Sequence, residues 1–201
     1  MNYLILIDAV SGGDVVFLKS LATAIGRHKK SRGIILHSDN LLSGLSSEAD
    51  PSDSQFVDRS IRELNKKLVA LFADYGIPVI GMHGYQKSII QIDASEIRFE
   101  KAWFDAIPSG VSLVLSNLVL DTSTSNRTTL PQGVLADSIV SAFGLKQLIT
   151  LCRGLSSAEK SKKGLMNGYI LPGETEPLNT NVYVLDEEDL LKGRMDEILS
   201  I

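Results

Sequence analysis

Three groups of residues in this chain have the types and spacing that chemistry would need. The first is Leu4 to Gly13, LILIDAVSGG, an apolar run with one carboxylate that ends in two glycines. A strand that turns through glycines into a helix presents backbone N–H groups to an anion, which makes Gly12 and Gly13 candidate cradle residues. The same spacing suits a tight strand-to-helix turn with no ligand, and a glycine pair alone does not choose between the two. The second group is His37-Ser38-Asp39, in which Ser38 could donate to an anion and Asp39 would oppose one. With His83, the pair His37 and Asp39 would make a metal site if their strands were neighbours, although no tight ligand spacing supports it. The third group is Lys160, Lys162 and Lys163, a supply of positive charge for a phosphate or simply a solvated face. Other chemistries lack their signatures: there is no Gly-x-Ser-x-Gly elbow for a hydrolase and no Gly-x-x-x-x-Gly-Lys-Ser/Thr phosphate loop.

The elements that must position these residues are legible from periodicity and punctuation. Strand Tyr3–Val10 leads into a helix over Asp14–His28, with Leu18, Leu21, Ala22 and Ile25 on one face. Gly33 opens a strand, Ile34–His37. Leu41–Gln55, rich in Ser, Asp and Pro, reads as a surface loop. The clearest helix is Phe56–Tyr75, with Ile61, Leu64, Leu68, Val69 and Phe72 at three- and four-residue intervals. Gly76 ends it and Pro78 follows. A buried strand Val79–Met82 comes next, then two short strands over Ser88–Asp93 and Glu96–Lys101, a short helix over Ala102–Ile107 and a strand over Val111–Leu115. Trp103 and Phe104 read as core. Asp121–Gln132 reads as a polar loop, Val134–Phe143 as a helix ended by Gly144, and Gln147–Cys152 as a strand with Cys152 in the core. Ser156–Lys163 reads as exposed, Asn181–Leu185 as a last strand, and Asp186–Leu199 as a C-terminal helix. Such alternation predicts an α/β fold, a three-layer α/β/α sandwich with a mostly parallel central sheet.

The totals bound the function classes. The chain has 201 residues, of which 44% are hydrophobic, enough for a sizeable core. Its net charge is −4, with no electrostatic footprint for nucleic acid. One cysteine excludes an intrachain disulfide and fits a reducing compartment. No apolar run approaches the ~20 residues of a membrane helix. The expectation is a cytoplasmic protein with neither membrane nor nucleic acid as partner.

The stretch Arg62–Gly84, RELNKKLVALFADYGIPVIGMHG, resembles the amino-acid kinase family, its acetylglutamate kinase branch in particular. The matching residues are Asn65, Lys66, Leu68, Val69, Gly76, Gly81 and Gly84. A second match runs from Pro108 to Gly154, through Gly110 to Val114, Leu135-Ala136-Asp137 and Leu148 to Leu151. The likeness spans roughly residues 1–155. It implies an amino-acid-kinase-like fold with an N-terminal lobe over 1–130 that binds a small acidic metabolite. A reduced nucleotide-side lobe over 131–201 would take Mg-ATP if the protein is active, and a homodimer is implied.

Site residues carried over by the resemblance are Gly12, Gly13, His37, Ser38, Asp39, Gly81 and Gly84 for the ligand. Asp137 is the catalytic candidate, which in the family orients substrate and lysines. No metal ligand is implied. Departures from the family pattern gather at the same places. The lysine of the first strand falls at Val10, or at Asp8 if slipped by two residues, and no lysine precedes Lys19. The two glycines after the family's histidine are replaced by Ser38 and Asp39, and both asparagines before Asp137 by Gly133 and Leu135. Phosphoryl transfer depends on positioned positive charge, and a carboxylate in a cation's place turns attraction into repulsion. Two readings follow: a protein that keeps the fold without the transfer and binds or assembles, and a divergent kinase that draws charge from Lys160, Lys162 or Lys163.

Overall fold

The computed structural model describes residues 1–7, 14–28, 32–38, 54–151 and 181–200. Five strands carry mainly apolar runs, and four of them are buried almost throughout, as strands covered on both faces must be. They are β1 (Tyr3–Ile7), β2 (Gly33–His37), β6 (Ser112–Ser116), β9 (Gln147–Leu151) and, more exposed, β10 (Asn181–Leu185). With β3 (Val79–His83) they form one six-stranded sheet in the order β10-β9-β1-β2-β6-β3. Every pairing in it is parallel.

Helices cover one face. Helix α1 (Val15–Arg27) is capped by Asp14, whose carboxylate accepts from the backbone N–H of Val16 at 2.9 Å and of Phe17 at 3.1 Å. The cap fills two of the donors a helix start leaves open. Helix α2 (Ser54–Asp74) buries Ile61, Leu64, Leu68 and Phe72. Fully burying a side chain such as Phe72 stabilises by about 1.5–3 kcal/mol. Two short helices complete this layer, α5 (Glu187–Leu191) and α6 (Arg194–Leu199). The single C-terminal helix expected over Asp186–Leu199 is broken because Gly193 sits at φ 76°, where other residues are strained.

The opposite face carries α4 (Gln132–Phe143), the short α3 (Lys101–Asp105) and a second sheet of order β5-β4-β7-β8. Its strands are β4 (Ile90–Asp93), β5 (Glu96–Phe99), β7 (Leu118–Asp121) and β8 (Asn126–Thr129). Phe99, Phe104 and Phe143 pack together under it, with Phe104 and Phe143 centroids 4.7 Å apart. The expected polar loop Asp121–Gln132 contains β8, and β7 was not anticipated. The β8 residues are polar and mostly exposed, so the strand carries no apolar alternation to reveal it. Asn117 joins the two sheets. Its N–H donates to the His37 carbonyl (3.1 Å) and its side-chain amide to the Leu130 carbonyl (2.8 Å). Among the described residues no helix is long and apolar enough to cross a membrane.

Candidate functional site

The carboxyl ends of the parallel strands form one row. Ile7 pairs with His37, His37 with Ser116, and Ser116 with His83. Directly paired residues of a parallel sheet share a face, so His37, Ser116 and His83 stand side by side toward α2. The strand order answers the condition set for a metal site. Strands β2 and β3 are not neighbours, because β6 lies between them and Ser116 separates the two histidines. The described residues hold no group of three metal-ligating side chains.

Asn65 on α2 organises this row. Its Nδ2 lies 2.9 Å from His37 Nε2, 3.1 Å from the Val114 carbonyl and 3.4 Å from the Met82 carbonyl. Carbonyls only accept, so Nδ2 is the donor and His37 Nε2 accepts. The His37 proton is therefore on Nδ1. That ring is fully buried, and burial lowers its pKa to about 3. The Ser38 backbone favours the charged form but gives Nδ1 no well-formed hydrogen bond. His37 is thus a neutral imidazole committed to the sheet–helix interface.

His83 Nδ1 is 2.8 Å from Ser116 Oγ, and its backbone N–H donates to Gln86 Oε1 at 2.9 Å. Its ring stacks on Tyr85 with centroids 5.8 Å apart and planes 4° from parallel. Burial, with the nearby charges of Arg62 and Lys66, lowers its pKa to about 4 against the opposing pull of Asp58.

The glycines serve packing. A Cβ at Gly81 would stand 2.6 Å from Asn65 Oδ1 and 2.6 Å from Val69 Cγ2, so glycine is what lets α2 bring Asn65 onto the sheet. A Cβ at Gly84 would stand 2.7 Å from the Leu118 carbonyl oxygen. There glycine admits β7 against the turn after β3.

Ser38 donates its hydroxyl to Gln132 Oε1 at 3.4 Å. Gln132 was read as loop, yet its Nε2 donates to the carbonyls of Ile7 (2.9 Å) and Leu36 (3.0 Å). It ties the carboxyl ends of β1 and β2 to the start of α4. Its one signal in the sequence is Pro131 before it, a residue suited to a helix start. Asp137 sits on α4, on the sheet face opposite His37, and is 4% exposed. It lines a groove of about 520 Å³ with Ile97, Phe99 and Ser141. His37 and Asp137 are not brought together. Gly12, Gly13, Asp39, Lys160, Lys162 and Lys163 lie outside the described residues, as do Asp8, Val10 and Cys152.

Strand order reverses at β1, with β2 on one side and β9 on the other. Open α/β sheets bind ligands outside the carboxyl ends at such a point.

No protein-family model and no curated protein sequence matches the chain. Solved structures do. An isopentenyl phosphate kinase superposes with a TM-score of 0.66 at 12% identity, over 100% of this chain and 96% of that one. Aspartokinase III of E. coli, in complex with aspartate and ADP, gives 0.60 at 10% identity over 94% of this chain and 62% of that one. N-acetylglutamate synthase of Neisseria gonorrhoeae gives 0.58 at 14% identity over 92% and 56%. The chain thus spans little more than half of the last two. These neighbours are amino-acid kinase family members, and identities this low carry architecture alone. The chain has the amino-acid-kinase fold, with a six-stranded parallel sheet between helices and a second small sheet.

Proposed function

We propose that this chain is a small-acid-binding protein on an amino-acid-kinase fold that does not itself transfer a phosphoryl group. The observation that carries the reading is the state of His37. Its imidazole is buried, neutral and held by Asn65 on the α2 side of the sheet, so the end of β2 adds no positive charge of its own to a site that already lacks the first-strand lysine. The sequence from residue 8 to 18 contains no lysine or arginine, and Lys19 is exposed on α1. Positioned cations are the main means of lowering a phosphoryl-transfer barrier, and each 1.36 kcal/mol withheld is about tenfold in rate.

The acid would sit beyond β1 and β2, near Ser38 and the segment holding Gly12 and Gly13. A homodimer belongs to the same reading. Among the described residues β3 is an edge of the central sheet, and Phe56 of the neighbouring α2 and Tyr75 just after it are each 36% exposed.

The match along 96% of an isopentenyl phosphate kinase favours a second reading, a divergent kinase acting on a small acidic metabolite. In that case Mg-ATP would sit beyond β9, with Lys160, Lys162 or Lys163 supplying charge and Asp137 orienting them. Calorimetric titration with Mg-ATP separates the readings. No nucleotide binding at millimolar concentration supports the first, and saturable binding with γ-phosphate turnover overturns it.

A further inference from the structure

Strand β5 reads Glu96-Ile97-Arg98-Phe99, and among the described residues it is an outer strand of the second sheet. Its inner side pairs antiparallel with β4, Glu96 opposite Asp93 and Ile97 opposite Ile92. Only Ala94 and Ser95 separate the two strands, and Ala94 takes the positive φ, 55°, that so tight a turn needs. Such a turn closes on its own hydrogen bond, here between Asp93 and Glu96, and bonded pairs alternate with unbonded ones along an antiparallel ladder. The residues bonded to β4 are thus Glu96 and Arg98. The N–H and C=O of Ile97 and Phe99 point the other way, to the free edge. Among the described residues neither makes a backbone hydrogen bond outside its own sheet.

The side chains divide between the two faces of the strand. Ile97 and Phe99 are half-buried and look onto the groove of about 520 Å³ that Ser95, Val134 and Ser138 also line. Glu96 and Arg98 stand on the other face, 66% and 56% exposed. Arg98 Nη2 donates to Glu96 Oε2 at 2.6 Å and lies 3.7 Å from the Asp93 carboxylate. Edge strands are commonly guarded by charge, lysines above all, which repels a second copy. This edge instead carries one charge of each sign, two residues apart.

An antiparallel copy centred on Ile97 sets Glu96 against the partner's Arg98 and Arg98 against the partner's Glu96. Ile97 then meets its own copy, and Ser95 meets the partner's Phe99. A parallel copy in line would set Glu96 against its own like. The backbone selects the same register, because Ile97 has both of its ladder groups free and can donate to and accept from its copy. A shift that centres Glu96 or Arg98 finds those groups already used by β4.

We propose that the β5 edge is a self-pairing surface, on which two copies of this chain join their four-stranded sheets across a two-fold axis at Ile97. The contact is isologous, each strand giving the other what it receives. It is separate from the β3 edge of the central sheet, and it stands whether or not the strand ends hold an acid.

The test is sedimentation equilibrium of the full chain up to millimolar concentration, on the wild type, Glu96→Arg, Arg98→Glu and an equimolar mixture of the two variants. Both positions are exposed, and circular dichroism should show both variants folded. Each variant alone meets its copy with two like-charge pairs, and its self-association should weaken about tenfold. In the mixture one chain brings two arginines and the other two glutamates. Both cross-strand pairs are then restored, and association should return to within about threefold of the wild type. A salt bridge that served only the hairpin would leave the mixture as weak as its parts. If the β3 edge also associates, the wild type grows beyond the dimer, each variant stops at the dimer, and the mixture grows again. A wild type that stays monomeric, variants that associate like the wild type, or a mixture no stronger than its parts overturns the proposal.

Discussion

Asn65 Nδ2 stands 2.9 Å from His37 Nε2 and fixes the tautomer of a histidine at the carboxyl end of β2. The same amide also bonds the Val114 carbonyl in β6 and the Met82 carbonyl in β3, so a single α2 side chain spans three strands of the sheet. The asparagine matched on resemblance is thereby a positioning residue.

Removing it should be costly. In Asn65→Ala the buried His37 Nε2 loses its donor, and an unsatisfied buried acceptor costs about 1–3 kcal/mol. Urea denaturation should show a lowered midpoint with an unchanged slope. NMR should show the His37 ring nitrogens losing the fixed Nδ1–H pattern.

Gly81→Ala should destabilise by about 1–3 kcal/mol, because the new methyl meets Val69 and Asn65 at 2.6 Å. Combining it with Val69→Ala should recover part of that loss. A double-mutant cycle measures the coupling. Purely additive effects would mean that the methyl is accommodated some other way.

Stability should fall with acidity in a window set by the histidines. His37 has a pKa of about 3 and His83 of about 4, both below the unfolded value of about 6.5. The unfolded chain therefore takes up protons below pH 6.5 that the folded chain refuses. Their contribution is complete above 6.5 and is lost as pH falls toward the folded values. For a fully buried ring such as His37 the loss is about 1.4 kcal/mol per pH unit. Urea midpoints between pH 6.5 and 5, above the main carboxylate titration, should fall in the wild type. The fall should be shallower in His37→Gln.

Gln132→Ala should free the carbonyls of Ile7 and Leu36 and cost about 1–3 kcal/mol. Amide hydrogen exchange should report the loss locally, at the carboxyl ends of β1 and β2 more than in β10.

The parallel sheet and its helices were legible because uninterrupted apolar strands and the 61/64/68/72 spacing of α2 are local signals. Asn65, Gly81 and Gly84 stood out only through resemblance. Their packing role depends on which strands meet, and no local pattern records that. For the same reason His37 and His83 looked combinable until β6 was found between them. Gln132 and β8 stayed hidden because a polar residue that bonds strand-end carbonyls and a polar edge strand both look like loop.

The central claim is that this fold holds a small acid without transferring a phosphoryl group to it. It is tested most directly by incubating the full chain with Mg-ATP and N-acetylglutamate, measuring γ-phosphoryl transfer and following acid binding by calorimetry. The expected result is saturable binding of the acid with no transfer above the protein-free rate. Transfer that rises in proportion to protein concentration would contradict it.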